Sequence, residues 1–172
     1  MALIFLEENG VYQIDCSRAV WATDDIHEKY KATGNQLNDV DFIVEMKDRL
    51  LLIEYKNANT INAACPEAFN PQSDKKINVM LKKYYDTLHY LTLLKKDKPK
   101  YYIYILEYPN GDQVNRKQIR NRLQNYLPFK LQKQFDLGVR LIEGIEVLNI
   151  EEWNNHEIYR NFPITQRDIE EA

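Results

Sequence analysis

The sequence predicts an α/β fold, a mixed sheet flanked by helices with an extra hairpin at the N-terminus. Three observations predict it. Residues 42–53 read as two apolar strands joined by a polar turn. A long amphipathic helix pattern follows over about residues 74–96. Tyr101 to Tyr108, rich in β-branched and aromatic residues, then reads as another strand. A strand pair, a helix and a further strand make a layer with a crossover connection. A length of 172 residues suits one domain over residues 1–172.

Taken in order, residues 2–8 and 11–16 flank Asn9-Gly10, the strongest short hairpin signal. This hairpin is expected at the sheet edge. Residues 17–33 read as a helix with Ser17 as N-cap and Gly34-Asn35 as its stop, or as a shorter helix beginning at Thr23-Asp24-Asp25. The central hairpin follows, turning at Lys47-Asp48, with Val44 opposite Leu51, Phe42 opposite Ile53 and Asp41 opposite Glu54. A polar loop with Pro66 and Pro71 leads to Ser73-Asp74, an N-cap for the long helix. Ile77, Met80, Leu81, Tyr84, Leu88, Leu91 and Leu94 form its apolar stripe. Val114 to Lys133 is helical in pattern and is broken by Pro128. Val139 to Ile150 reads as a strand or hairpin, Glu151-Glu152-Trp153 as the start of a short helix, and Thr165 to Ala172 as a frayed end.

The central hairpin carries the chemistry. Directly opposed residues of a strand pair have Cβ atoms roughly 4.5–5.5 Å apart, and like charges there are destabilising. Asp41 and Glu54 would meet in this way at the open end of the hairpin. A divalent cation such as Mg²⁺, or Mn²⁺, would remove that cost, because hard cations take carboxylate oxygens, waters and phosphate. Lys56 shares the face of Glu54, opposite Asp39 in the same register. It is suited to hold a water or to neutralise charge on a phosphate.

Asp41, about a dozen residues, then Glu54-Tyr55-Lys56 ending an apolar strand resembles the PD-(D/E)XK nuclease superfamily. The resemblance covers one hairpin and its flanking helices, and Val40 stands where proline is commonest. It implies a restriction-endonuclease-like fold and hydrolysis of phosphodiester bonds, with DNA the first substrate. Asp41 and Glu54 would bind Mg²⁺, the carbonyl of Tyr55 would be a further ligand, and Lys56 would assist the attacking water. Asp39 is the alternative to Asp41. Many such nucleases carry a glutamate on the helix before the aspartate strand, and Glu28 is the candidate for it.

Charge distribution fits this reading. The net charge is −3, yet residues 1–54 hold eleven acids against five bases, and residues 116–133 hold six bases and no acid. An acidic end beside a basic middle suits a metal site next to a phosphate-binding surface. Lys75, Lys76, Lys82, Lys83, Arg116, Lys117 and Arg120 are the expected nucleic-acid contacts. No apolar stretch is long enough to span a membrane. Two cysteines without Cys-x-x-Cys spacing point to free thiols and a cytoplasmic setting. No glycine-rich dinucleotide or P-loop motif and no nucleophile elbow occurs. The assembly state is open, with a homodimer expected if both strands of a duplex are cut. The competing expectation is an inactive nuclease-fold module that binds nucleic acid or a protein partner.

Overall fold

The computed structural model describes residues 3–60, 65–135, 138 and 140–167. A mixed five-strand sheet runs in the order β3-β4-β5-β6-β7, with β5 (Leu50–Asn57) at its centre. β3 (Trp21–Thr23), β4 (Phe42–Glu45) and β5 form an antiparallel meander. β6 (Lys100–Glu107) and β7 (Gly144–Leu148) then add parallel to β5 and to each other. Parallel neighbours require crossovers. α2 (Asp74–Leu93) supplies the first, while α3 (Gln113–Tyr126) and α4 (Phe129–Phe135) supply the second. The fold is therefore the α/β class that the sequence predicts. Its register is the predicted one as well, with Val44 opposite Leu51 and Phe42 opposite Ile53.

The strand period of two divides β5 between two cores. Leu50 and Leu52 join Ile43, Tyr102 and Tyr104 under α1 (Ile26–Ala32), α2 and α3, with Ile77, Met80, Tyr84, Leu91 and Ile119 buried against them. Leu51 and Ile53 face the opposite way, towards Ile14, Trp153, Tyr159 and Phe162. A strand buried on both faces needs a continuous apolar run, which is what Leu50 to Ile53 provides. Gly144 lies where a Cβ would come within 2.9 Å of the Tyr101 ring, so this parallel edge can approach only without a side chain.

Four expectations are corrected. Residues 17–33 are not one helix. Trp21–Thr23 is a strand paired with Ile43–Glu45, and the helix begins only at Ile26, close to the shorter alternative. The aromatic and β-branched character of this stretch is used for pairing, and Ser17 instead accepts the Leu3 amide at 3.0 Å. The N-terminal hairpin, β1 (Ile4–Leu6) and β2 (Tyr12–Asp15), does not extend the main sheet. It forms a separate antiparallel sheet with β8 (Ile164–Gln166) and packs on the second core through Phe5 and Ile14. Thr165 and Gln166, expected in a frayed end, are thus part of a strand, and residues 168–172 lie outside the described residues. Before Phe42 the chain leaves the ladder, so Asp39 does not oppose Lys56. The amides of Asn38 and Val40 instead donate to Asp86 Oδ2 at 2.8 Å and Thr87 Oγ1 at 3.1 Å on α2.

The later elements follow the sequence more closely. Pro128 separates α3 from α4. A capping box between Asn149 and Glu152 opens α5 (Ile150–Asn155), which seats Trp153 in the second core. Both cysteines are free, Cys16 buried and Cys65 exposed. No helix among the described residues is long and apolar enough to cross a membrane.

Candidate active site

The end of the central strand brings together two carboxylates and one ammonium. Glu54 lies on β5, on the face covered by α2, and is buried. Asp41 directly precedes β4, whose first residue, Phe42, pairs with Ile53 beside Glu54. Its Oδ2 accepts the Tyr55 amide at 2.7 Å, which holds the carboxylate over the adjacent strand. Asp86 and Thr87 clamp the backbone at residues 38–40 and so fix where Asp41 sits. Lys83 reaches down from α2. Its Nζ lies 2.7 and 2.8 Å from the two Glu54 oxygens and 3.5 Å from Asp41 Oδ1.

Two carboxylates share one counter-charge in a poorly solvated place. Burial, and then the nearby Asp41 carboxylate, push Glu54 up to about 8 against the opposing pull of Lys83. Burial also raises Asp41, partly offset by Lys83 and by the Tyr55 amide. Burial alone would lower the Lys83 ammonium, but Glu54 and Asp41 outweigh it and hold the proton more tightly. Glu54 thus keeps its proton near neutral pH, and a further cation at the pair would favour its ionised form.

Asp41 and Lys83 line an open cleft of about 470 Å³, whose other walls include Glu7, Asp24, His27, Asn38 and Asp39. Glu54 meets this wall through Lys83. Asp39, the alternative to Asp41, lies one step further out, with His27 Nδ1 at 3.3 Å from its Oδ1. The structure therefore brings Asp41, not Asp39, to Glu54, and gives His27 a partner that its position in the sequence does not suggest. Glu28 is on the exposed side of α1, while Asp24 and His27 face the cleft. Lys56 sits two residues beyond Glu54 on the same face, half-buried, beside Leu106 of β6. Tyr55 sends its ring into the opposite core.

The basic residues separate into different environments. Lys75, Lys76 and Lys82 are exposed along α2, with Lys76 over the Phe69 ring. Lys83 is not on that outer surface. It flanks the buried stripe, three residues after Met80 and four before Thr87, and that helical spacing is the signal that identifies it. Arg116 is corrected as a nucleic-acid contact. It is buried, donates to the Gly111 carbonyl and pairs with Glu152 at 2.7 Å, so it ties α3 to α5. Arg116 lies on the same helical stripe as Ile119 and Leu123, which foretells its burial. Lys117 is exposed and Arg120 half-buried, and both line a second cavity of about 370 Å³ beside Val147 and Leu148.

Among the described residues no three His, Cys, Asp or Glu side chains are grouped to hold a metal ion. The Asp41–Glu54 pair supplies two hard oxygen donors, which matches how Mg²⁺ is commonly held, with waters and substrate oxygens completing the shell. The ammonium already seated between the carboxylates is a stand-in cation, and in that respect the residues present fit a divalent ion. No family model, no curated protein and no solved structure matches the chain.

Proposed function

We propose that the chain is a metal-dependent nuclease of the PD-(D/E)XK type, with a restriction-endonuclease-like fold, that hydrolyses phosphodiester bonds in nucleic acid, DNA first. The observation that carries this reading is the convergence of Asp41 and Glu54, from neighbouring strands, on one cationic nitrogen at the end of the central strand beside an open cleft. The strand order, with a meander leading into parallel strands through α2, is the frame on which the resemblance rests.

In this reading Asp41 and Glu54 hold Mg²⁺ or Mn²⁺, with the Tyr55 carbonyl as a further ligand. The bound ion supplies an acidified water and charge stabilisation at the phosphate. The chain's own residues do the rest. The Tyr55 amide orients Asp41. Lys56, on the face of Glu54, holds the attacking water or neutralises the pentavalent phosphate. Exposed Lys75, Lys76, Lys82 and Lys117 offer salt-sensitive contacts to backbone phosphates.

The test is cleavage of plasmid and single-stranded DNA with Mg²⁺, with Mn²⁺ and with chelator, comparing wild type with Asp41→Asn and Lys56→Ala. Metal-dependent cutting lost in both variants supports the reading. Cutting that persists in both removes the chemistry from this hairpin. Absence of cutting together with absence of metal binding by wild type favours a binding module.

A further inference from the structure

Lys83 is not required by the hairpin motif, yet it contacts both carboxylates of the site. It comes from a different element, α2, and spans both Glu54 oxygens at 2.7 and 2.8 Å while remaining 3.5 Å from Asp41. A divalent ion bridging the same two carboxylates would lie about 2.0–2.1 Å from their oxygens. An ammonium and such an ion cannot share that space: they repel, and both use the same lone pairs. Helix α2 cannot withdraw to make room, because Ile77, Met80, Tyr84, Thr87 and Leu91 are buried on either side of Lys83. The side chain itself can move. It is 22% exposed at the wall of the 470 Å³ cleft, and its stem has four rotatable carbons.

We propose that Lys83 is a built-in competitor for the divalent cation: its ammonium occupies the Asp41–Glu54 pair in the metal-free protein and must swing into the cleft before metal binds. This rests on the metal-dependent reading above and adds a residue that sets the metal requirement. Lys83 stabilises the metal-free fold, raises the concentration of metal needed, and is carried towards the substrate phosphates when displaced. Charge-assisted hydrogen bonds of this kind are among the stronger ones in proteins, so removing the competitor should tighten metal binding by about tenfold or more.

The experiment is calorimetric titration of Mn²⁺ into wild type, Lys83→Met and Lys82→Met at one pH and ionic strength, with thermal melting of each with and without Mn²⁺. Lys82 is the exposed neighbour on α2 and controls for the loss of one positive charge. The expected result is about tenfold tighter binding and a larger Mn²⁺-induced melting shift in Lys83→Met, with little change in Lys82→Met. Equal or weaker binding in Lys83→Met, or equal tightening in both variants, overturns the competition. If neither wild type nor Lys83→Met binds Mn²⁺, the metal-dependent reading itself falls. Wild type that binds without the Lys83 effect sinks only this inference. Should Lys83→Met fail to fold, the lysine side-chain ¹⁵N spectrum of wild type decides the matter: the Lys83 ammonium signal must move on saturation with Mg²⁺, and a signal unchanged at saturation refutes displacement.

Discussion

The two ends of the β4–β5 hairpin carry opposite charge balances. At the turn end, Glu45 is buried and meets two ammonium groups, Lys96 and Lys98, with Lys98 at 2.9 Å. Burial would raise this carboxyl, but Lys96 and Lys98 outweigh it and hold it below the ordinary range. At the open end, Glu54 and Asp41 share only Lys83, and Glu54 is pushed up to about 8. One hairpin thus holds a buried carboxylate kept ionised by two cations and a buried carboxyl pair whose one cation does not offset burial and crowding at Glu54. The first arrangement is complete as it stands and ties the turn to the segment after α2. The second leaves Glu54 with a strongly perturbed proton affinity, and groups perturbed in this way cluster at functional sites.

The largest expected difference between the ends is in activity. On the nuclease reading proposed above, Glu54→Gln should reduce metal-dependent DNA cleavage on the order of a thousandfold or more, because that reading makes Glu54 a ligand of the ion. Glu45→Gln should retain most of the activity per folded molecule. Initial cleavage rates, normalised by the folded fraction from circular dichroism, check this. Equal losses at both ends would break the comparison.

Stability should separate the ends with the opposite ranking. Glu45→Gln leaves two ammonium groups without their carboxylate. Each is about a quarter exposed and can partly return to water, so the expected cost is roughly 1–3 kcal/mol. Glu54→Gln replaces a carboxyl already largely protonated near neutral pH with a neutral amide of the same shape, so the metal-free protein should change by less than about 1 kcal/mol. Urea unfolding of both variants with chelator present measures the pair of values.

The pH dependence sharpens the same contrast. For Glu54 the folded value, about 8, lies above the ordinary 4.5. The folded state therefore holds its proton more tightly, and this contribution is complete below pH 4.5 and lost as pH rises through 8. For Glu45 the folded value lies below 4.5, so its contribution is complete above that pH and lost as pH falls through the depressed value. The metal-free wild type should thus lose on the order of 1–3 kcal/mol of stability between pH 5 and 8.5. Glu54→Gln should flatten that slope, and Glu45→Gln should leave it intact while weakening the acid-side loss. Melting curves across pH 3.5–9 in chelator provide the measurement.

How much of this could be read from residues alone depends on how local the determining physics is. The central hairpin was legible because an apolar run with a polar reversal fixes both strands and their register up to Phe42 and Ile53, the residues next to Asp41 and Glu54. The strand at Trp21–Thr23 was not, because it forms only by pairing with β4 and its three residues show no periodicity of their own. β8 is hidden for the same reason, its partner β2 lying some 150 residues earlier. Lys83 was read as surface charge because helix lysines usually are. Its spacing from Met80 and Thr87 puts it at the margin of the buried stripe, but only the packing of α2 over the sheet brings it to Glu54. The His27–Asp39 pair likewise joins two segments whose approach is set by tertiary packing.

The smallest effect expected lies one layer behind the open end. Asp86 accepts from both the Asn38 amide and its side chain, and Thr87 accepts from the Val40 amide. These bonds hold the backbone just before Asp41 against α2. Nothing at the turn end depends on them, since Glu45 reaches its lysines through side chains alone. Thr87→Val keeps the volume of a fully buried side chain but leaves the Val40 amide without an acceptor, a cost of roughly 1–2 kcal/mol. If those bonds set the position of Asp41, the variant should also weaken Mn²⁺ binding severalfold while leaving the pH-dependent loss at Glu45 unchanged. If they only stabilise the fold, melting temperature falls and metal affinity does not. The distinction matters because the first outcome makes α2 a scaffold for the carboxylate pair from two directions at once, holding Asp41 through Thr87 and Asp86 while presenting Lys83 to the space between Asp41 and Glu54.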